Sequence, residues 1–357
     1  MARFPLLLAS VLTLPLLATT NAFGQDAAAK QYVDIAIAEP PKQDGVEFAL
    51  KNAVTISVVD SRDVIGVQPN GATYAFGLKF DGNVTYRKGF HEWRTIGSVN
   101  EIVARTPAFP QIIKSADAAA LDSTYLYFVR PWFGPFARFS AATPLFGGYD
   151  VRAAPTTYDV TKADGTKDIS SAYRNVNRLN LTDPFRPLTM KETIGPFARP
   201  ITSEKINIET RVGLGGLQTL AEGQLLIKDD AATADKVEVV TLSDVFQVGA
   251  EASLEAWGAL YAKKITYKAG IGILVPAWSN EKDVSPVKFT SLDIGAAVSF
   301  KIVEWASLDY ELKVIRQPQL ADVWQVRNGF LLTLGLGVEK KQKKPEPPKP
   351  PAEPAAK

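Results

Sequence analysis

From Val46 onward, apolar and polar residues alternate along much of the chain. In "TYAFGLKFDGNVTYRK", Tyr74, Phe76, Leu78, Phe80, Val84 and Tyr86 share one face, and Thr73, Lys79, Asp81, Asn83 and Thr85 the other. "KINIETRVGLGG" sets Ile206, Ile208, Val212 and Leu214 against Lys205, Asn207, Glu209 and Arg211. "FQVGAEASLEAWGAL" sets Phe246, Val248, Ala250, Ala252, Leu254 and Leu260 against Gln247, Glu251, Ser253 and Glu255. In "WASLDYELKV", Leu308, Tyr310, Leu312 and Val314 oppose Asp309, Glu311 and Lys313. A period of two predicts strands.

Twelve such segments are expected, at about 46–59, 73–87, 90–104, 120–130, 133–145, 187–199, 204–218, 244–261, 264–276, 287–302, 304–316 and 325–339. Soluble strands centre near ~5–6 residues. A strand that crosses a bilayer needs about 9–11. The connections alternate between tight turns, near 87–90, 131–133, 201–204, 262–264 and Val303, and longer stretches at 60–72, 105–119, 146–186, 219–243, 277–286 and 317–324. All long loops therefore emerge at one end. Short turns on one side and long loops on the other are the pattern of a closed, antiparallel, up-and-down transmembrane β-barrel. The fold class expected is all-β, with about twelve strands and residues 45–339 as the barrel. Its apolar face turns to lipid and its polar face inward. Tyr74 and Tyr86 share that apolar face twelve residues apart, a span of about 30 Å at ordinary rise and tilt, close to the height of an apolar band with its aromatic girdles.

The ends differ from this pattern. Residues 1–24 combine Arg3 with the apolar run "FPLLLASVLTLPLLA" and small residues before a cleavage point after Ala22 or Gly24. They read as a signal peptide that exports the chain. Residues 25–44 are expected to be a periplasmic N-terminal segment or plug. Residues 340–357, "KKQKKPEPPKPPAEPAAK", are rich in Pro and Lys and predict an extended periplasmic tail. Such a tail solubilises the protein or reaches a cell-wall or periplasmic partner. An even strand number leaves both termini in the periplasm of a Gram-negative cell, with the barrel in the outer-membrane lipid.

Composition narrows the chemistry. The net charge of +2 gives no field that favours nucleic acid. The absence of cysteine removes disulfides, thiolate zinc sites and a lipoprotein anchor. His91 is the sole histidine, so chemistry that needs several imidazoles in one chain is excluded.

"RNGFLLTL", with Arg327, Gly329, Leu332 and Leu334, resembles the C-terminal signal read by the barrel-assembly machinery, although a tail follows it here. That resemblance implies the machinery as a partner during insertion. "YRKGFHEWRT", "IKSADAAALDSTYLYFV" and "FSAATPLFGGYD" resemble stretches of an uncharacterised family of bacterial outer-membrane β-barrel proteins. The positions that carry the likeness are Trp93, Lys114, Asp117, Phe146, Gly148 and Tyr149. The early Asn-Trp-Ala-Gly-Gly-like element of that family is not evident. The resemblance implies fold and location and brings no activity.

The candidate functional residues are the charges on the inward face: Lys51, Lys79, Asp81, Glu209, Arg211, Glu251, Glu255, Asp293, Asp309, Glu311 and Lys313. Neighbouring strands are expected to pair Asp293 with the Asp309–Glu311–Lys313 row, and Arg211 with Glu251 and Glu255. A filled, salt-bridged interior and a charge-lined passage both accommodate them. The leading expectation is a porin-like or narrow channel for small polar solutes. The alternative is a structural or interaction protein that works through its external loops and tail. A lipid hydrolase is more remote, since His91 has no evident serine and acid partners. No catalytic residue, cofactor or metal is expected. Asp159, Asp164 and Asp168 lack EF-hand spacing and read as a solvated loop.

Overall fold

The computed structural model describes residues 44–61, 71–105, 112–228, 236–281 and 284–340. The expected signal peptide, nearly all of the expected N-terminal segment and the expected tail after Lys340 lie outside these residues. The strands run in chain order Gly45–Ser61 (β1), Gly71–Lys88 (β2), His91–Arg105 (β3), Ile113–Tyr127 (β4), Phe133–Thr143 (β5), Gly148–Thr156 (β6), Tyr158–Thr161 (β7), Lys167–Asp168 (β8) and Val176–Thr182 (β9). They continue with Leu188–Thr202 (β10), Asn207–Leu220 (β11), Leu225–Ile227 (β12), Val237–Thr241 (β13), Val245–Leu260 (β14), Ile265–Ser279 (β15), Ser291–Val303 (β16), Ala306–Gln317 (β17) and Ala321–Lys340 (β18).

Twelve of these close into an antiparallel barrel in the order β1-β18-β17-β16-β15-β14-β11-β10-β5-β4-β3-β2. β1 and β18 close it, from Phe48 opposite Lys340 to Val54 opposite Leu334. Every barrel strand thus has a hydrogen-bonded neighbour on both edges, the condition a sheet must meet in hydrocarbon. Along β14, the inward residues from Val245 to Glu255 are buried while Val248, Ala250 and Leu254 are exposed. In β11 the buried set is Asn207, Glu209, Arg211, Gly215, Leu217 and Thr219. The exposed outer residues include Leu78, Phe80, Val212, Leu214, Val248, Leu254 and Ile271. At the short-turn end Tyr86, Trp93 and Tyr125 stand side by side across three strands, as an aromatic girdle does.

The fourth strand begins at Ile113, seven residues before the expected 120. Its pairing with β3 slips between Ile102 and Val103, where Ala116 and Lys114 are the successive partners. Ser115 is the extra residue of a bulge, so the alternation breaks and the early half of β4 does not read as strand.

The long loops after β5 and β11 also carry structure. β12, β13, β7 and β8 form a small sheet in which β13 runs parallel to β7, and β6 pairs with β9. Tyr158, Val160, Leu179, Leu181, Val237 and Val239 form its core. Tyr158 donates to the buried Asp150 carboxylate at 2.8 Å, and Arg152 donates to the same oxygen at 2.6 Å.

Two glycines fix the approach of β10 and β11. A Cβ on Gly213 would lie 2.1 Å from the Ile194 carbonyl oxygen, and one on Gly195 2.1 Å from that of Val212. Gly213→Val should therefore push the strands apart and lower stability by about 1–3 kcal/mol. On the outer face, Leu214→Arg at the middle of β11 should cost about 2–4 kcal/mol. Urea titration of folded protein in vesicles, read by heat-modifiable gel mobility, checks both; wild-type midpoints in both variants would contradict them.

Candidate functional site: a charged lumen

The inward charges sort into clusters, and the largest is built on a conflict. Glu209 and Glu255 are directly opposed across β11 and β14, a destabilising arrangement for like charges. Arg211 resolves it. One guanidinium nitrogen donates to Glu209 and the other to Glu255 at 3.0 Å. Lys268 on β15 adds a contact to Glu255 at 3.6 Å. Arg199 on β10 donates to Glu209 through Nε at 2.8 Å and to Glu92 on β3 at 3.1 Å. Arg94 on β3 reaches Glu209 at 2.9 Å with three strands between them. These bonds cross the lumen. They join β3 to β15 through one continuous lattice in which Glu209 accepts from three arginines. Its side chain is 0% exposed and that of Arg211 6%, so the centre of the lattice is buried.

An apolar cluster lies beside it. Leu126, Phe128, Phe136 and Phe197 are buried together inside the barrel. Arg199 lies over the Phe128 ring at 5.3 Å and Arg211 over Phe136 at 6.0 Å, cation–π contacts that seat the guanidinium groups. The expectation that apolar side chains face only lipid is corrected here. The β4–β5–β10 wall carries large apolar residues on both faces.

A second cluster depends on a missing side chain. Thr193 and Lys191 on β10 both reach Glu251 on β14, Lys191 at 2.7 Å. Gly215 of the intervening β11 makes this possible, since a Cβ there would lie 2.8 Å from the Glu251 carboxylate. The expected pairing of Arg211 with Glu255 is present. The expected pairing of Arg211 with Glu251 is replaced by this contact. Asp293 meets Lys313 at 3.5 Å. Asp309 instead accepts from the hydroxyls of Ser299, Ser307 and Thr333, at 3.1 Å for Ser307.

The opposite wall is looser. Lys79 lies 3.6 Å from Asp81 and 3.6 Å from Glu311, which bridges β2 to β17. These three side chains are 23%, 19% and 25% exposed, and Lys51 on β1 is exposed. Toward the long-loop end a cavity of about 40 Å³ runs between Ser140, Thr189 and Lys191 on one wall and Leu274, Ser291 and Asp293 on the other. It is large enough to hold water. The interior thus holds this cavity between β5–β10 and β15–β16, is filled by the lattice and the apolar cluster along the rest of β3 to β15, and keeps partly exposed charges along β1, β2 and β17.

All eleven charges singled out from the alternation lie on the inward face. Glu92, Arg94, Arg199, Lys191, Asp122 and Arg138 belong with them and were not singled out, although Arg138 donates to Asp122 at 2.7 Å. Glu92 and Arg94 alternate with Trp93, so their parity alone marks them. Arg199 follows Phe197 on the inward face, which hides it. His91 is bonded through Nδ1 to the Tyr125 hydroxyl at 2.6 Å, on the outer face. Asp159 and Asp168 are engaged by Lys167 and Lys162, and Asp164 closes a turn on Thr166. Among the described residues no group of three or more potential ligands could hold a metal ion.

Three residues that carry the family resemblance meet at the long-loop rim. The Lys114 ammonium binds Asp117 at 2.7 Å and the carbonyls of Phe146 and Gly147 at 2.9 and 3.1 Å. Asp117 accepts from the amides of Leu145 and Phe146 at 2.7 and 2.9 Å. Residues three apart in a strand normally face opposite ways, and the Ser115 bulge brings these two together. The clasp pins the start of the long loop to β4.

A closed barrel with an apolar exterior and an ion-paired interior defines a transmembrane β-barrel. No family model matches the sequence, and no curated protein matches it. Among solved structures, the translocator domain of the autotransporter NalP from Neisseria meningitidis is similar at 9% identity, over 82% of this chain and 86% of that chain, with a TM-score of 0.32. An outer-membrane channel from Pseudomonas putida F1 is similar at 10% identity, over 85% and 98%, with a TM-score of 0.35. OprB of Pseudomonas putida is similar at 9% identity, over 84% and 94%, with a TM-score of 0.21. At these scores the functional reading rests on the chain's own residues.

Glu209→Gln leaves Arg94, Arg199 and Arg211 short of their shared counter-charge. It should lower stability by about 3–5 kcal/mol, as removing one partner of a buried pair does. The exposed turn residue Glu304 serves as control, and Glu304→Gln should change stability by less than about 0.5 kcal/mol. Lys114→Met should release the loop start and speed proteolysis between Leu145 and Arg186 in intact vesicles. Unchanged cleavage would remove the clasp from that role.

Proposed function

We propose that the protein is an outer-membrane channel for small polar solutes, narrowed to an eccentric passage along β1, β2 and β17. The observation that carries this reading is the asymmetry of the lumen. Glu209 and Arg211 are sealed in a lattice on one side, while Lys51, Lys79, Asp81 and Glu311 stay accessible on the other. A barrel that served only as a wall has no reason to keep charged residues wet inside it, and accessible charge of both signs suits passage of small polar or zwitterionic solutes. In this reading the barrel-assembly machinery inserts the chain, outer-membrane lipid surrounds it, both termini lie in the periplasm, and no catalytic step is involved. The tail after Lys340 is assigned to the cell-wall side.

Purified protein in planar bilayers should give stepwise conductance of small amplitude. Lys51→Glu should shift the reversal potential toward cation preference in a salt gradient, by reversing a charge that lines the passage. A bilayer that stays sealed at all voltages would overturn the channel reading in favour of a structural role for the loops and tail.

A further inference from the structure

The five short turns share a composition that the strands do not explain. Each carries an exposed base and an exposed large apolar residue. The pairs are Lys88 with Phe90, Arg130 with Val129 and Trp132, Lys205 with Ile206, Lys263 and Lys264 with Tyr261, and Lys301 with Ile302 and Trp305. Against these six bases the same turns hold Glu204 and Glu304. Glu204 lies 3.9 Å from Lys263. Asp44, where the chain enters β1, accepts from the Gly89 amide at 2.9 Å.

We propose that this rim binds the head groups of anionic phospholipid in the periplasmic leaflet. The proposal rests on the reading above that the short turns face the periplasm. Aromatic rings settle at the head-group level, and an exposed base at the same turn is within reach of lipid phosphate at the membrane surface. One such pair recurs at every turn, so the feature encircles the barrel as a leaflet does. A compact acidic protein would need a single patch.

The fourth turn displays its bases at a tight bend. The Lys264 amide donates to the Tyr261 carbonyl at 3.2 Å, with Ala262 and Lys263 between them at φ of 52° and 66°. Left-handed φ at both central positions is the geometry that favours Asn-Gly. Lys263 stands at the tip of this bend with Lys264 beside it, and both are exposed.

The test is competition between brominated phosphatidylglycerol and brominated phosphatidylcholine for quenching of tryptophan fluorescence in reconstituted vesicles. Wild type should bind the anionic lipid about fivefold more tightly per rim base, less so at high salt. A variant with Lys88→Gln, Arg130→Gln, Lys205→Gln, Lys263→Gln, Lys264→Gln and Lys301→Gln should bind both lipids equally. Lys264→Gln alone, should the combined variant not insert, should lose part of the preference. Equal quenching by both lipids in wild type, or a preference that survives the substitutions, would overturn the proposal. So would lysine-dependent sedimentation with cell-wall sacculi in place of a lipid preference. Conductance of the same vesicles separates the two readings: sealed vesicles with intact lipid preference reject the channel alone, and conducting vesicles without it reject the rim alone.

Discussion

The structure depends on one constraint, that no backbone N–H or C=O can go unpaired in hydrocarbon. β1 and β18 meet it by pairing with each other, which leaves the barrel without an edge. Closure then fixes the sides. With a period of two, each strand sends one residue set to lipid and the other to a shared interior. The interior must accept whatever that second set contains. Here it contains acids and bases in near balance, and much of the chemistry of the lumen is the settlement of those charges.

That settlement is uneven around the barrel. On β3 through β15, Glu209 and Glu255 face each other and are held by Arg211, while Arg94 and Arg199 reach in from distant strands. Phe136 and Phe197 fill the space beside the guanidinium groups. A buried lattice of this kind is costly to break and need not add net stability over an apolar core. It does fix which part of the lumen is solid. The remaining arc, with Lys79 between Asp81 and Glu311, holds its charges in contact with water. The proposed narrow, off-centre path runs along that arc.

β11 and β14 are legible in the sequence because their inward residues, Leu217 apart, are polar or small, from Asn207 to Thr219 and from Gln247 to Glu255. β10 is not, because Phe197 faces inward while Met190 and Ile194 face lipid, and the alternation of apolar character disappears. β4 fails for another reason. The Ser115 bulge shifts the parity of Lys114 and creates the clasp with Asp117, so the residues that anchor the loop are those that hide the strand. Partner choice is less legible than facing. Glu251 pairs with Lys191 two strands away because Gly215 lies between them, and no rule of adjacent strands would supply that. The sheet built from β7, β8, β12 and β13 joins two loops distant in sequence, and short segments such as Leu225–Ile227 carry too few residues to show a period.

The central claim is that the lumen is solid on one side and wet on the other. The chain has no cysteine, so single introduced thiols report access without background. Lys51→Cys on β1 and Ser253→Cys on β14 both point inward, the first exposed and the second buried beside Arg211. Reaction with a charged, membrane-impermeant thiol reagent in reconstituted vesicles is the direct measurement. The account requires rapid labelling at residue 51, with a change in conductance, and none at residue 253. Equal labelling at both positions, or protection of residue 51, would contradict it.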